Sequence, residues 1–203
     1  WTVIQRRYNG QENFFRTWDE YKRGFGNISA EFWFGNEKIH QLTNQKSYRL
    51  RIEMKTWTGL KYAVEYENFR LSDEEDGYRL TVGGFVGRDN FISTTPEPIE
   101  SDSSSVFENN HNNQKFSTKD RDNDGRKYDN CAVHYQGAWW FNACFKSHLN
   151  GIYKHYKKSF KKQTKMLYMN EFDDIFNRDG LIWDGIDEHI SLKETIMMIR
   201  SND

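Results

Sequence analysis

The segment from Phe116 to Gly151 reads FSTKDRDNDGRKYDNCAVHYQGAWWFNACFKSHLNG, and more than any other stretch it decides the fold of this chain. Its first half places three carboxylates on alternate positions: Asp120, Asp122 and Asp124. Carboxylates this close repel one another unless a hard cation neutralises them, and Ca²⁺ binds oxygen ligands at about 2.3–2.6 Å. The pattern therefore predicts a calcium-binding loop.

Two other interpretations of the acidic run stay open at this point. The run can be a solvated acidic turn without an ion. It can also be the first half of an EF-hand loop, because Asp120, Asp122, Asp124 and Gly125 fit that pattern. The EF-hand fails at its last ligand position, where Cys131 stands in place of a bidentate Glu.

Many further residue types follow in a fixed order. They are Phe116-Ser117-Thr118, the run from Asp120 to Asp124, Asn130-Cys131-Ala132, Gly137-Ala138-Trp139-Trp140, Cys144 and Leu149-Asn150-Gly151, with Trp1-Thr2-Val3-Ile4-Gln5-Arg6-Arg7 and Phe32-Trp33-Phe34-Gly35-Asn36 near the start. In this order they resemble the fibrinogen-like C-terminal domain, the module of ficolins, tachylectins, angiopoietins and the fibrinogen chains. Two long insertions and the C-terminal third fall outside the resemblance.

The resemblance implies a single α+β domain over residues 1–203, built on a twisted antiparallel sheet with short helices. Residues 1–86 and 192–203 would form the central sheet region, and residues 114–191 a loop-rich calcium and ligand region. In the family, a cysteine-bearing segment and a Gly-rich turn precede the tryptophan that matches Trp1. We therefore expect this sequence to lack the front of its domain.

Composition sets limits on what the chain binds. A chain of 203 residues can bury one substantial core. Charged residues make up 29% and nearly cancel to a net charge of −1, so nothing draws the chain to nucleic acid. No apolar run reaches about 18 residues, so no membrane insertion is expected. Aromatic residues make up 16%, and they must supply much of the core.

Helix signals occur twice in the first third of the chain. Thr17 and Glu20 form a capping box that starts a short helix, and Gly24 ends it. A second helix is predicted from Asn36 through Leu42, with Asn36 as its cap.

Strands are predicted where apolar and polar residues alternate. The clearest run covers residues 48–55, and further strands begin at Tyr62 and Tyr78. Turn signals at 58–59 and 75–77 make these strands antiparallel neighbours. Residues 192–200 are predicted to form a closing strand.

Two insertions interrupt this pattern. Residues 87–113 are polar and hold both prolines, which predicts a long inserted loop. The second insertion, near residues 154–175, is rich in lysine: Lys154, Lys157, Lys158, Lys161, Lys162 and Lys165. With Tyr153, Tyr156 and Phe160 as an apolar stripe, it is typical of a solvated surface helix or loop. The alternative is a patch for a glycosaminoglycan or an acidic partner.

The resemblance also implies a set of calcium ligands. The family holds Ca²⁺ with carboxylates that match Asp122 and Asp124, and Asp120 matches a supporting residue. Two backbone carbonyls complete the site; here they would come from Arg126 or Lys127 and from Tyr128 or Asp129. The spacing leaves this choice open, because Asp124 and Cys131 are one position further apart than is usual in the family.

A ligand pocket is implied beside the calcium loop. In acetyl-binding members it is a small aromatic funnel next to a cis peptide bond, which corresponds to Ala143–Cys144. Tyr135 matches a tyrosine of the funnel wall, and Phe145 stands where the family has a histidine, which removes a polar partner. At the remaining wall positions, where the family has a Tyr and a small or acidic residue, this chain has Asn177 and Arg178. A shift of one residue would bring Phe176 into the wall instead.

The two cysteines, Cys131 and Cys144, are by themselves equally consistent with buried thiols. The resemblance implies that they form a disulfide in an oxidising compartment. Asn27-Ile28-Ser29 is an N-glycosylation sequon, which agrees with a secreted, extracellular protein.

An enzyme is not predicted. The histidines have no Cys or Ser nucleophile in a recognisable context. Asp122 and Asp124 have no histidine at a spacing suited to a hydrolase metal. His134 and His148 are expected to be structural.

Two functions agree with these features. The first is a secreted, calcium-binding recognition domain that docks an extracellular protein receptor, as in signalling and adhesion members of the family. The alternative is a calcium-dependent lectin of innate immunity that binds acetylated sugars, with sulfated glycans as a further ligand class. Oligomerisation is expected through segments N-terminal to this domain.

Overall fold

The computed structural model describes residues 1–87, 106–155, 179–186 and 191–203. Within these ranges the strands are β1 (Thr2–Arg7), β2 (Phe25–Gly26), β3 (Phe32–Trp33), β4 (Tyr48–Lys55), β5 (Lys61–Leu71), β6 (Leu80–Gly87), β7 (Ser147–His148), β8 (Ile182–Trp183) and β9 (Glu194–Ser201). The helices are α1 (Trp18–Arg23), α2 (Asn36–Thr43), α3 (Val106–His111) and α4 (Cys131–His134).

A seven-stranded sheet in the order β2-β3-β1-β9-β4-β5-β6 forms the centre of the domain. All of its pairings are antiparallel. The predicted closing strand, β9, lies between β1 and β4. β7 and β8 form a separate two-stranded sheet within the ligand region. The predicted α+β class with an antiparallel sheet is confirmed.

The alternation in β4 determines which side chains reach the core. Leu50 and Ile52 are fully buried, and they lie opposite Tyr66 and Val64 of β5. Arg51 is on the other face and is also buried, and its guanidinium pairs with both Glu53 and Glu65, which offsets the cost of burying the charge. Burying each aliphatic side chain contributes about 1.5–3 kcal/mol, so this pattern fixes the register of the strand.

α1 confirms the predicted capping box. The Glu20 N–H donates to Thr17 Oγ1 at 3.4 Å, and the Thr17 N–H donates to Glu20 Oε2 at 2.8 Å. Gly24 ends the helix with φ of 88°.

α2 corrects the prediction that Asn36 is its cap. Gly35 occupies the N-cap position, and Asn36 is already helical. The Asn36 side chain has another use: its Oδ1 accepts a hydrogen bond from Trp33 Nε1 at 3.0 Å. Gly35 has φ of 112°, and a Cβ there would lie 2.8 Å from the Arg23 carbonyl. A close backbone approach therefore selects glycine over a capping side chain.

Tyr78 corrects the prediction of a strand that begins at this residue. Its φ is 48° and its N–H donates to Asp73 O at 2.9 Å, so it belongs to the turn before β6. Its carbonyl accepts a hydrogen bond from Trp140 Nε1 at 2.9 Å, and its hydroxyl donates to Glu37 Oε2. These long-range contacts, rather than strand pairing, hold the buried side chain.

α3 corrects the prediction of an inserted polar loop over residues 87–113. Residues 106–111 are helical, and Phe107 and His111 are fully buried. The Phe107 ring packs 5.7 Å from Trp139 and 6.1 Å from Trp183. A single aromatic residue in a polar stretch carries no periodic signal, so only tertiary packing reveals the helix. The rest of that insertion, residues 88–105, lies outside the described ranges.

Aromatic rings join the sheet to the segment that decides the fold. Phe116 is fully buried and lies 5.2 Å from Tyr21, 6.0 Å from Trp33 and 5.2 Å from Trp140, measured between ring centroids. Aromatic pairs of this kind are worth about 0.5–1.5 kcal/mol beyond the area they bury. The expected aromatic core is present.

Residues 156–175 of the lysine-rich insertion lie outside the described ranges, so the prediction of a helix, loop or basic patch there stays a prediction. Lys154 is described, and it forms an ion pair with Asp179 at 2.8 Å. In the part of the chain that the structure describes, no helix is long and apolar enough to span a bilayer.

Candidate functional site

The acidic loop is anchored at its base by backbone pairing. The Ser117 N–H donates to Trp139 O at 2.9 Å, and the Trp139 N–H donates to Ser117 O at 3.2 Å. Within the loop, Asn123 Nδ2 donates to Phe116 O at 2.7 Å. These bonds hold the Asp run against the buried Gly-Ala-Trp-Trp turn.

Asp120 is directed toward α1. Its Oδ1 accepts hydrogen bonds from the Trp18 N–H at 2.9 Å and from Thr118 Oγ1 at 2.8 Å. A carboxylate at the first turn of a helix also interacts favourably with the helix dipole. This geometry gives Asp120 a supporting position.

Asp122 and Asp124 lie together. Burial raises the pKa of the Asp124 carboxyl, and the charge on Asp122 raises it further, although two backbone N–H groups oppose the shift. Those donors are the Arg126 N–H at 2.7 Å and the Cys131 N–H at 2.8 Å. The two negative charges are therefore costly without a cation between them.

The turn that follows Asp124 offers carbonyl oxygens. Arg126 Nη1 donates to Asp129 Oδ2 at 2.8 Å, which folds residues 126–129 into an exposed turn. Within the described ranges, no hydrogen bond reaches the carbonyl oxygens of these four residues. No group of three or more His, Cys, Asp or Glu side chains in the described residues could hold a metal. Two carboxylates and free carbonyls fit a hard cation such as Ca²⁺, which accepts both ligand types.

Cys131 and Cys144 form a disulfide, as predicted, with their Cα atoms 5.7 Å apart. The peptide bond between Ala143 and Cys144 is cis. Beside it, the Gly125 N–H donates to Asn142 O at 2.7 Å. The acidic loop and the predicted pocket are thus joined through both covalent and backbone contacts.

The structure brings together part of the predicted pocket. Tyr135 is half-buried, and its ring lies 4.7 Å from Phe145 in an edge-to-face arrangement. Phe145 is only 8% exposed and packs 6.0 Å from Phe141 and 5.1 Å from His148. Phe145 therefore belongs mainly to the wall of an aromatic cluster and presents little surface to a ligand. Phe176, Asn177 and Arg178 lie outside the described ranges.

The two buried histidines, His111 and His148, have different surroundings. Hydrogen bonds hold His111, whereas neither ring nitrogen of His148 has a hydrogen-bond partner among the described residues, and its ring packs against Trp139 and Phe141. Burial lowers the pKa of His148 to about 3 and that of His111 to about 4. His111 Nδ1 lies 2.7 Å from Trp140 O, and its Nε2 accepts a hydrogen bond from the Ser147 N–H at 3.1 Å. His134 lies on the surface, 3.8 Å from Asp129.

Two features of the structure were not predicted from the sequence: the exposed side chain of Tyr128 and a buried ion pair. Tyr128, weighed only as a carbonyl donor, has a side chain that is 87% exposed. The sequence does hold one signal of this exposure, because Tyr128 is an aromatic residue in an otherwise polar turn. Arg7 and Glu31 form a buried ion pair with 3.9 Å between Nε and Oε1, and no local pattern connects residues so far apart in sequence.

Comparison with known proteins agrees with this geometry. The family model for the C-terminal globular domain of fibrinogen beta and gamma chains matches residues 1–202. The fibrinogen gamma chain of Mus musculus is 40% identical over 98% of this chain and 45% of its own length. This chain thus spans less than half of that curated relative.

Solved structures extend the comparison to the fold. The fibrinogen-like globe domain of human ANGPTL2 has a TM-score of 0.78 and 38% identity, over 99% of this chain and 80% of that one. Lamprey fibrin D-dimer, complexed with the peptide ligand Gly-His-Arg-Pro-amide, has a TM-score of 0.74 and 36% identity, over 98% of this chain and 60% of that one. The buried aromatic core, the disulfide and these matches show that the chain belongs to the family of fibrinogen C-terminal globular domains.

Proposed function

We propose that this chain is a secreted recognition domain that binds an extracellular protein partner beside a calcium-binding loop. Family membership confirms the prediction of a non-enzymatic domain. The lamprey relative in complex with a short peptide supports a peptide or protein ligand for the present chain.

The observation that carries the proposal is the exposure of two large apolar side chains between Asp124 and the pocket. Tyr128 is 87% exposed and Val133 is 48% exposed. Lys127 Nζ lies 5.1 Å from the centre of the Tyr128 ring, so the aromatic face is bordered by a cation. Tyrosine is enriched among residues that dominate binding energy at protein interfaces. This surface suits a partner with an apolar contact and acidic neighbours.

The proposed ion would lie between Asp122 and Asp124. Bound Ca²⁺ would neutralise the negative charges of these two carboxylates. The residues themselves position the recognition surface: Asp124 binds the N–H groups of Arg126 and Cys131, and so fixes both ends of the turn that carries Tyr128. Losing the carboxylate would therefore release the turn as well as the ion.

A calcium-dependent lectin is the second candidate, because the half-buried ring of Tyr135 offers an aromatic surface for a sugar. Phe145 opposes this function. Its ring packs against Tyr135 where a polar partner is expected, and a phenyl group offers only contact area.

Binding of the labelled domain to cultured cells tests the two functions. We expect binding that is lost after protease treatment of the cells and weakened about thirtyfold by Tyr128→Ala, which corresponds to about 2 kcal/mol. Tyr8→Ala is the matched control, since Tyr8 is also exposed but lies away from the loop sequence. Protease-resistant binding together with a strong signal from acetylated sugars on a glycan array would reject the protein partner in favour of the lectin.

Calorimetric titration with Ca²⁺ tests the metal site. We expect Asp122→Ala and Asp124→Ala each to abolish binding, and Asp120→Ala to weaken it less, because Asp120 is bonded to α1. Asp203→Ala, at an exposed ion pair with Lys46, should bind normally. Unchanged affinity in both of the first two variants would remove calcium from the proposal.

A further inference from the structure

We propose that Asn27 carries an N-linked glycan at the tip of the β2–β3 hairpin. The inference rests on the secretion included in the proposed function. Asn27-Ile28-Ser29 is the only Asn-x-Ser/Thr sequence in the 203 residues. A sequon is glycosylated only where it is accessible in a surface loop of a secreted protein. The position of Asn27 in the fold therefore determines whether it can carry a glycan.

The hairpin presents the sequon outward. β2 pairs with β3 through Phe25 and Gly26, and the chain turns over residues 27–31. The Asn27 N–H donates to Glu31 O at 3.0 Å, and the Ala30 N–H donates to Asn27 O at 2.7 Å. A Cβ on Gly26 would lie 2.3 Å from Glu31 O, so glycine permits this tight closure. The turn is therefore a defined structure, fixed by backbone bonds on both sides of the sequon.

The side chain of Asn27 is held in an Asx turn. Its Oδ1 accepts a hydrogen bond from the Ser29 N–H at 2.9 Å. In the described part of the chain its Nδ2 makes no hydrogen bond, and Asn27, Ile28 and Ser29 are all exposed. The carbonyl of the amide is thus occupied by the turn, while the nitrogen that would be modified faces solvent.

The modification is a glycosyl transfer from a lipid diphosphate oligosaccharide. Asn27 Nδ2 attacks the anomeric carbon, and a new C–N bond forms. The bond between that carbon and the phosphate oxygen breaks, and the lipid diphosphate leaves with its electron pair. One amide proton passes to a base of the transferase, so the reaction needs no oxidant or reductant.

The neighbouring surface gives the glycan a physical role. Ile28 is 73% exposed at the hairpin tip, and β2 is the outermost strand on its side of the sheet. Exposed sheet edges and apolar tips promote association between molecules. A hydrophilic glycan at Asn27 would cover both, and would exclude this end of the sheet from partner binding.

Secretion of the chain from insect cells with a heterologous leader tests the inference. Intact mass is measured before and after N-glycosidase treatment, for wild type, Asn27→Gln and Ser29→Ala. We expect one glycan on wild type and none on either variant. Ser47→Ala, another exposed serine outside any sequon, should keep the glycan.

The outcomes separate this inference from the proposed function. A secreted, disulfide-bonded wild type with unmodified Asn27 overturns the inference and leaves the proposed function intact. A glycan on Asn27 in a protein that binds neither Ca²⁺ nor cells supports the inference and counts against the proposed function.

Discussion

The buried ion pair of Arg7 and Glu31 makes the sharpest prediction about stability. Both side chains are 1% exposed. Glu31 Oε1 accepts the N–H groups of Tyr8, Asn9 and Gly10 at 2.7–3.1 Å, and Oε2 accepts that of Glu12 at 3.0 Å. One carboxylate therefore organises the whole loop that follows β1.

Glu31→Gln tests this arrangement with little change in volume. The amide oxygen can still accept three of the four N–H groups, but the new NH₂ would face the Glu12 N–H, donor to donor. An unsatisfied buried donor costs about 1–3 kcal/mol. Arg7 also loses its opposite charge, and breaking a buried pair costs about 3–5 kcal/mol in total. We expect a loss within that range.

Urea denaturation measures the loss of stability in Glu31→Gln. With an m-value of about 1–3 kcal/mol/M, the midpoint should fall by about 1 M or more without a change in slope. Glu75→Gln is the control, because Glu75 is exposed; its effect should stay within about 0.5 kcal/mol. A Glu31→Gln midpoint equal to that of the control would refute the reasoning.

The same pair predicts a pH dependence. Burial raises the pKa of Glu31, but the four backbone N–H groups outweigh it and leave the pKa below its ordinary value of 4.5. A carboxyl whose folded pKa is depressed contributes stability above the ordinary pKa and loses it as the pH falls through the folded value. The difference between wild type and Glu31→Gln should therefore shrink below about pH 4.

Three further predictions follow from buried or covalent contacts. Changing both Cys131 and Cys144 to serine should lower the free energy of unfolding by about 3 kcal/mol, because the disulfide no longer restricts the chain entropy of the unfolded loop. The melting temperature of the reduced wild type should fall to a similar extent, and an unchanged melting temperature would contradict this prediction. His111 and His148 have pKa values lowered to about 4 and about 3 by burial. The unfolded chain therefore binds more protons below about pH 6.5, and stability should decline there by up to about 1.4 kcal/mol per histidine per pH unit; melting temperatures that stay flat down to about pH 5 would exclude this. Phe145→His should raise affinity for N-acetylglucosamine about tenfold by restoring a polar partner, as measured by titration; tight sugar binding by wild type with no gain from histidine would count against this view of the pocket.

Features of the fold that depend on neighbouring residues were predictable from the sequence. The Thr17–Glu20 capping box and the alternation in β4 are both local, because the partners lie within a turn or on the same strand. Features that depend on distant partners were not. Gly35 replaces Asn36 as cap because of a close approach to Arg23, and α3 forms because Phe107 finds a pocket among rings from other segments.

In the candidate site, too, local features were predictable from the sequence and features that depend on distant partners were not. Alternate carboxylates are visible in sequence, and Asp122 and Asp124 do lie together. The role of Asp120 was not visible, because it accepts a hydrogen bond from the N–H of Trp18, a partner 102 positions away. The exposure of Tyr128 depends on how the turn packs, which composition does not reveal.

Buried hydrogen bonds join the central sheet to the loops of the ligand region, so the fold can persist when those loops change. Gln5 Nε2 of β1 donates to Leu149 O at 2.9 Å and to Asn150 Oδ1 at 3.2 Å, and Arg7 Nη1 donates to Gly151 O at 2.9 Å. These buried bonds join the end of the ligand region to the centre of the sheet. Segments between such anchors can gain residues at small entropic cost, so the turn after Asp124 can lengthen without loss of the core. Residues on loops above a rigid scaffold can therefore change more readily than the core does.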